Sequence, residues 1–252
     1  MSTLQLIIIG LSAFAAGGIN ALAGGGTLIT FPVLTALGIP AITANVTNTV
    51  ALCPGYFGAT LSQRQDLRDQ IKRLWLLIPA AIIGGLSGAL ILLFSGERLF
   101  KGLIPYLILF ASILLAIGEP LKKWMKQKKG QNERSLRISA AFPITIASLY
   151  GGYFGAGLSV IILATLGLFY HDSLTRLNAL KQALAFATNI AAAFVFIFSG
   201  KVSWSIAIIM AVCALVGGSL GGRLASKINP AVLRWVVVSL GLVVSLLYFI
   251  NL

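Results

Sequence analysis

Six carboxylates occur in the chain, Asp66, Asp69, Glu97, Glu119, Glu133 and Asp172, and each falls in a loop or at the end of an apolar segment. No apolar segment has an acid in its interior, so the intramembrane carboxylates that relay protons or bind Na⁺ in cation pumps are missing. Hydrolytic chemistry lacks its parts too: the single histidine, His171, rules out an HExxH run, and no two aspartates share a segment interior. Cys53 and Cys213 lie far apart in apolar surroundings without a CxxC or a histidine nearby, which reads as small buried hydrophobes. The pattern asks for no metal, no cofactor and no enzyme.

The groups left inside apolar segments are cationic or neutral. Lys181 stands in Asn178-Ala179-Leu180-Lys181-Gln182, near the start of a segment read at 177–199. A lysine at the bilayer centre costs about 2.5–3.5 kcal/mol, and less near the interface. Two readings stay open: a lysine snorkelling to the headgroups, or a cation facing an anion, with Asn178 and Gln182 beside it and Asn189 extending the polar face. In the first half, Thr43 or Asn45 reads as the N-cap of a segment at 43–61, whereas Thr47 and Asn48 lie deeper than a cap requires. Asn20 precedes Gly24-Gly25-Gly26 and must find a partner, either a substrate or the backbone freed at the glycines.

The glycines supply the other half of the chemistry. Gly24–Gly26 interrupt a run that would be about 52 Å long as one straight helix, too long for one crossing. The chain must break and turn back there, and Gly151-Gly152 with Gly155 and Gly157 does the same later. A broken helix frees backbone N–H groups and presents a positive dipole end, which suits an oxyanion. Such backbone survives at membrane depth only inside protein or beside a water-filled cavity. The expected substrate-binding set is therefore Asn20, Gly24, Gly25, Gly26, Thr47, Asn48, Gly155, Gly157, Asn178, Lys181, Gln182 and Asn189. Gly84 with Gly88 and Gly217 with Gly221, four apart inside unbroken segments, are assigned to close helix packing.

The elements that must position these groups follow from composition. The 252 residues are 58% hydrophobic and 10% charged, with mean hydropathy +0.96. A soluble domain carries about 25% charged residues, so a soluble enzyme is excluded, and apolar runs of about 20 residues predict an all-α polytopic membrane protein. The segments fall at about 4–23, 27–37, 43–61, 74–95, 99–118, 138–153, 156–170, 177–199, 203–224 and 231–250, with boundaries uncertain by a few residues. Landmarks repeat: Leu37-Gly38 with Leu166-Gly167, Gly84 and Gly88 with Gly217 and Gly221, Lys101 with Arg234. This spacing predicts two repeats, 1–118 and 137–252, joined by a basic linker at 119–136, each a Gly-broken helical hairpin plus three transmembrane helices.

An odd number of crossings per half makes the repeats inverted, a plan of many secondary transporters. On that plan Arg64, Arg68, Lys72, Arg73, Lys122, Lys123, Lys126, Lys128, Lys129, Arg134, Arg137, Arg176, Arg223, Lys227 and Arg234 share one side, against Arg98, Lys101 and Lys201 on the other. The positive-inside rule then places the larger group in the cytoplasm and both termini outside, in a cell (inner) membrane. The net charge of +13 is thus a topology signal, and a nucleic-acid partner is not expected. Trp75, Trp204 and Trp235 at segment ends, with Trp124 in the linker, read as an interfacial belt.

At these residues a resemblance emerges. Ala23-Gly24-Gly25-Gly26-Thr27-Leu28-Ile29, then Phe31-Pro32-Val33-Leu34 and Leu37-Gly38-Ile39-Pro40, is similar to the first-repeat signature of the sulfite exporter TauE/SafE family. Gly151-Gly152-Tyr153-Phe154-Gly155-Ala156-Gly157, Asn178-Ala179-Leu180-Lys181 and Gly200-Lys201-Val202-Ser203-Trp204 resemble the second. The resemblance covers nearly the whole chain. It implies transport of a small sulfur-containing anion, sulfite or an organosulfonate, with the lipid bilayer as the other partner. Export is the favoured direction because a monoanion leaving a negative cytoplasm gains about 2.3 kcal/mol per 100 mV. Proton-coupled import through His171 or Asp172, a non-transporting membrane scaffold, and homo-oligomerisation stay open at this point.

Overall fold

The structure, a computed structural model, describes residues 1–22, 24–127, 140–170, 172–224 and 230–250, and every regular element among them is a helix. In chain order these are α1 (Thr3–Leu22), α2 (Thr27–Ala36), α3 (Ala41–Ser62), the short α4 (Arg64–Arg68), α5 (Ile71–Gln127), α6 (Ala141–Tyr153), α7 (Leu158–Phe169), α8 (Leu174–Ile197), α9 (Trp204–Leu224) and α10 (Pro230–Ile250). Within α5, Gly96 takes φ 75° and ψ 161°, conformations that glycine reaches at no steric cost. The element is therefore two helices, α5a (71–95) and α5b (97–127). His171 and the stretches 128–139 and 225–229, which hold five of the basic residues used to assign sides, lie outside the described residues. The apolar segments match these helices to within a few residues at most ends, while the short α4 lies in a stretch read as a loop. The helix expected to stop at 118 runs to Gln127, because Leu, Lys, Met and Gln after Pro120 are good helix formers.

The outer surface is apolar. Phe94 is 86% exposed, Phe198 75% and Phe142 72%, and Leu, Ile and Val cover the outward faces of α1, α9 and α10. Such a surface fits lipid, and α1, α5 and α8 contain stretches long and apolar enough to cross a bilayer. Trp75, Trp204 and Trp235 are at least half exposed, each near the start of its helix, as a belt requires. α3 has 22 residues, about 33 Å of helix, and its polar residues Asn45, Thr47, Asn48 and Thr49 are all turned into the protein.

The halves interleave. α1 packs along α9 and α6 along α5a; α3 lies against α9 and α8 against α5a. Small residues permit these approaches. A Cβ on Gly17 would strike the Ala214 carbonyl, on Gly217 the Phe14 carbonyl, on Gly84 the Thr145 carbonyl and on Gly88 the Leu149 carbonyl, the close backbone contact that small residues allow between membrane helices. Only the backbone of Gly221 is described. α3 and α8 run antiparallel: Gln63, just past the end of α3, bonds Asn178 near the start of α8, while Thr47 near the start of α3 bonds Ser203 beyond the end of α8. α5b and α10 are antiparallel too, with Ser245 donating to the Pro105 carbonyl at 2.8 Å and Gly241 seated on Ser112.

The bundle thus has two ends. At the basic end, Gln70 donates to the Arg176 carbonyl at 2.6 Å and Arg73 pairs with Asp172, so the loop after α3 locks onto the loop before α8. At the opposite end, the Glu97 carboxylate accepts from the N–H groups of Ala41 at 2.6 Å and Ile42 at 3.2 Å. That corrects the expected cap. α3 begins at Ala41 behind Pro40, which offers no side-chain acceptor, so Thr43 and Asn45 fall inside the helix and the first amides take a carboxylate from α5b instead. An anion suits a helix N-terminus by charge as well as by hydrogen bonding.

Candidate functional site

The first break is built by glycine. Gly24 and Gly25 have φ of 78° and 95°, left-handed values that favour glycine. The Gly24 N–H closes α1 on the Ile19 carbonyl at 2.9 Å, and the chain doubles back until Gly26 lies on the Ala16 carbonyl. Asn20 serves this turn: its Oδ1 accepts from the Gly26 N–H at 2.7 Å. Of the two roles open to Asn20, satisfying the freed backbone is the one the geometry displays. Its own carbonyl, one of those freed near the end of α1, accepts from Gln182 Nε2 at 3.3 Å.

The second break has the same plan. Gly155 and Gly157 have φ of 81° and 77°, the Tyr150 hydroxyl donates to the Ala156 carbonyl at 2.8 Å, and the Leu158 side chain folds over Gly151. The Tyr153 carbonyl, at the end of α6, accepts from Asn45 Nδ2 at 2.9 Å. Each break is therefore held by an amide side chain from a long helix of the other half.

The two breaks meet. Gly24 rests on Ser159, in the first turn of α7, where a Cβ on the glycine would come within 2.7 Å of the serine Cβ. Gly25 rests on Leu115 and Gly157 on Ala111, one turn apart on α5b. The N-termini of α2 and α7, with their positive dipole ends, are thus brought to one place in the interior. Toward the Glu97 end, Phe31, Phe100 and Phe154 close over them, buried and edge-to-face, with Phe31–Phe154 centroids 5.3 Å apart. Gly155 and Asn178 are half-buried, and every other residue of the expected substrate set is buried.

The remaining expected residues spread around this centre. Asn48 bridges α3 to α2, donating to Thr27 Oγ1 at 3.3 Å and accepting from the Thr30 hydroxyl. Thr47 turns away and accepts from the Ser203 N–H at 3.0 Å, holding the start of α9. Asn189 Nδ2 donates to the Ala185 carbonyl of its own helix at 2.8 Å. Lys181 lies further into its helix than hydropathy implied, because α8 starts at Leu174. It is 2% exposed, and its ammonium donates to Asn178 Oδ1 at 2.7 Å, with Asn178 in turn donating to Gln63 at 2.7 Å. The lysine is held inside the protein on the turn of α8 whose Gln182 touches the first break, and does not reach outward into lipid. Gln182 is about 100° further round the helix and so faces the break while Lys181 faces the basic end.

Asp172, weighed as a proton carrier, is engaged: it pairs with Arg73 and with Arg176 at 3.5 Å, and the Arg73 guanidinium lies 5.1 Å over the Tyr170 ring. Among the described residues no group of three or more His, Cys, Asp or Glu could hold a metal. Sequence reasoning missed Asn45, Glu97 and Ser159. The partners of Asn45 and Glu97 carried no local signal, being over 50 positions away, and Asn45 was read only as a cap. Ser159 stood two residues beyond Gly157, in the first turn of the restarted helix, and its place after the break was the available clue. Its hydroxyl is buried at 3% exposure and has no hydrogen-bond partner, a state that costs about 1–3 kcal/mol.

An apolar outer face around a buried polar centre, with two broken helices meeting inside it, defines a polytopic membrane transporter. The chain belongs to the sulfite exporter TauE/SafE family, whose profile matches residues 9–248. Among its relatives, a probable membrane transporter protein of Haemophilus influenzae is 27% identical over 229 residues, 89% of this chain and 87% of the relative. Another from Sinorhizobium sp. is 28% identical over 246 residues, 94% of this chain and 90% of the relative. The probable membrane transporter protein YfcA of Escherichia coli K12 is 27% identical over 249 residues, 97% and 90% of the two chains. The family is one of transporters, which points away from an enzyme.

Proposed function

We propose that the chain carries a small sulfur-containing oxyanion, sulfite or an organosulfonate, out of the cytoplasm through a site where the two glycine breaks meet. The observation that carries this reading is the convergence of Gly24–Gly26 and Gly155–Gly157 on one turn of α5b, which aims two helix N-termini at one buried place. Backbone N–H groups and positive dipole ends bind oxyanions at such places. Gly155, Gly157, Asn48 and Gln182 line the surroundings, and Lys181 and Asn178 supply a cation on the side of the basic end. The description of the family as sulfite exporters supports the substrate class.

On this reading the halves are 1–118 and 137–252, joined by the linker 119–136 and related by inversion; the antiparallel pairs α3 with α8 and α5b with α10 support it. The basic end faces the cytoplasm, both termini lie outside, and the membrane is the cell's inner one, as the bias of loop cations implies. Export needs no coupling ion, since expelling a monoanion is favoured by about 2.3 kcal/mol per 100 mV of negative-inside potential. The purified protein in liposomes loaded with labelled sulfite, methanesulfonate, sulfate or chloride tests the proposal. Release of sulfite or the sulfonate, accelerated by a negative-inside potential, is expected. Equal release from protein-free liposomes would refute it.

A further inference from the structure

We infer that Ser159 contacts the transported anion, its hydroxyl donating to an oxygen of the sulfite or sulfonate group; the inference rests on the anion-transport reading above. Three observations meet at this residue. It is the second residue of α7, a 12-residue helix whose N-cap is Gly157, so its side chain sits beside the first-turn amides. It faces the other half: a Cβ on Gly24 would lie 3.3 Å from its Oγ, which aims the hydroxyl at the first break from within the second. And that Oγ is buried without a partner.

The missing partner has a local cause. Several buried hydroxyls within helices take their own backbone: Thr49 donates to Asn45, Ser112 to Ile108, Thr188 to Leu184 and, further along α7 itself, Thr165 to Ile161, each four residues back. The carbonyl four residues before Ser159 belongs to Gly155, which is left-handed and outside the helix, and its carbonyl takes the Leu158 N–H at 3.3 Å. The break therefore strips Ser159 of the usual outlet and leaves a free donor at the junction of the halves. A buried polar group kept without a partner needs an explanation. An oxyanion seated when Gly24 and Ser159 part supplies one, accepting the hydroxyl hydrogen alongside the α7 amides.

The test is sulfite transport by wild type, Ser159→Ala and Ser159→Cys in liposomes, with the thermal midpoint of each purified protein measured in parallel. Ser159→Ala is expected to raise the transport KM about tenfold while its midpoint stays level or rises, since an unsatisfied hydroxyl has been removed. Ser159→Cys, of similar size with a feebler donor, is expected to fall between. An unchanged KM in Ser159→Ala beside an active wild type overturns the assignment and leaves the anion reading standing. A lowered midpoint with unchanged KM, or loss of the folded protein, marks the hydroxyl as structural and overturns it too. A wild type that carries neither sulfite nor a sulfonate refutes the anion reading itself, and this inference with it.

Discussion

Asn45 in α3 donates its side-chain amide to the Tyr153 carbonyl at the end of α6, 2.9 Å away and 108 positions along the chain. Gln182 in α8 does the reciprocal service for the Asn20 carbonyl near the end of α1. A helix end inside a membrane has no water to take its carbonyls, so each half supplies the donor that the other half's break requires. Each break thus draws one of its hydrogen bonds from the other side of the chain.

Removing one such donor should weaken the assembled protein. Asn45→Ala is expected to cost about 1–2 kcal/mol, the usual consequence of stranding a buried carbonyl, and Gln182→Ala a similar amount. Thermal unfolding of the purified protein in detergent measures both.

Glycines in the seams should not be interchangeable with glycines elsewhere. Gly88→Ala and Gly217→Ala would drive a Cβ into the Leu149 and Phe14 carbonyls, and the helices could yield only by separating. Both variants should lose most folded protein on size-exclusion chromatography. Gly102 has nothing near its missing Cβ, and Gly102→Ala should be neutral or gain up to about 1 kcal/mol from helix propensity.

The lock at the basic end should contribute modestly. Asp172→Asn deprives Arg73 and Arg176 of their shared carboxylate. Because Arg176 keeps 36% side-chain exposure, water screens part of the loss, and about 1–2 kcal/mol of destabilisation is expected, below the 3–5 of a fully buried pair. The drop in thermal midpoint should shrink when the comparison is repeated in high salt.

Sidedness has its own test. Arg68, at the basic end, and Lys201, at the other, are both exposed. Single cysteines placed there, in a background lacking Cys53 and Cys213, should react with an impermeant thiol reagent from opposite faces, Lys201→Cys from outside intact cells. Labelling of both from one face would remove the proposed orientation.

The sequence was informative about different things to different degrees. Helix positions were legible because a 58% hydrophobic chain separates its apolar runs by charges and glycines, and both break sites were legible because only Gly tolerates the left-handed turns found at Gly24, Gly25, Gly155 and Gly157. The packing role of Gly84, Gly88 and Gly217 could be read from their spacing of four. What each polar side chain bonds could not. Glu97 was visible as a loop carboxylate, yet its role as the α3 cap depends on α5 bending at Gly96 to bring it there. Asn45 looked like a cap because it stands near a segment start; the true start at Ala41 moved it inside. Lys181 could be read either as a snorkelling lysine or as a cation facing an anion, because the apolar signal of α8 begins after Arg176, whereas the helix starts before it.

The account's central claim is that a small anion is held in the interior between the breaks with a positive charge at hand, and Lys181 is the buried cation on the turn of α8 that touches the first break. The decisive measurement is sulfite flux in liposomes for wild type, Lys181→Gln and Lys181→Arg at matched protein content. Lys181→Gln keeps hydrogen-bonding ability on a side chain one atom shorter, without the charge, and is predicted to lose at least about tenfold in flux, the worth of a hydrogen bond to a charged group. Lys181→Arg, which keeps the charge in a different geometry, should retain part of it. Wild-type flux from Lys181→Gln would contradict the claim.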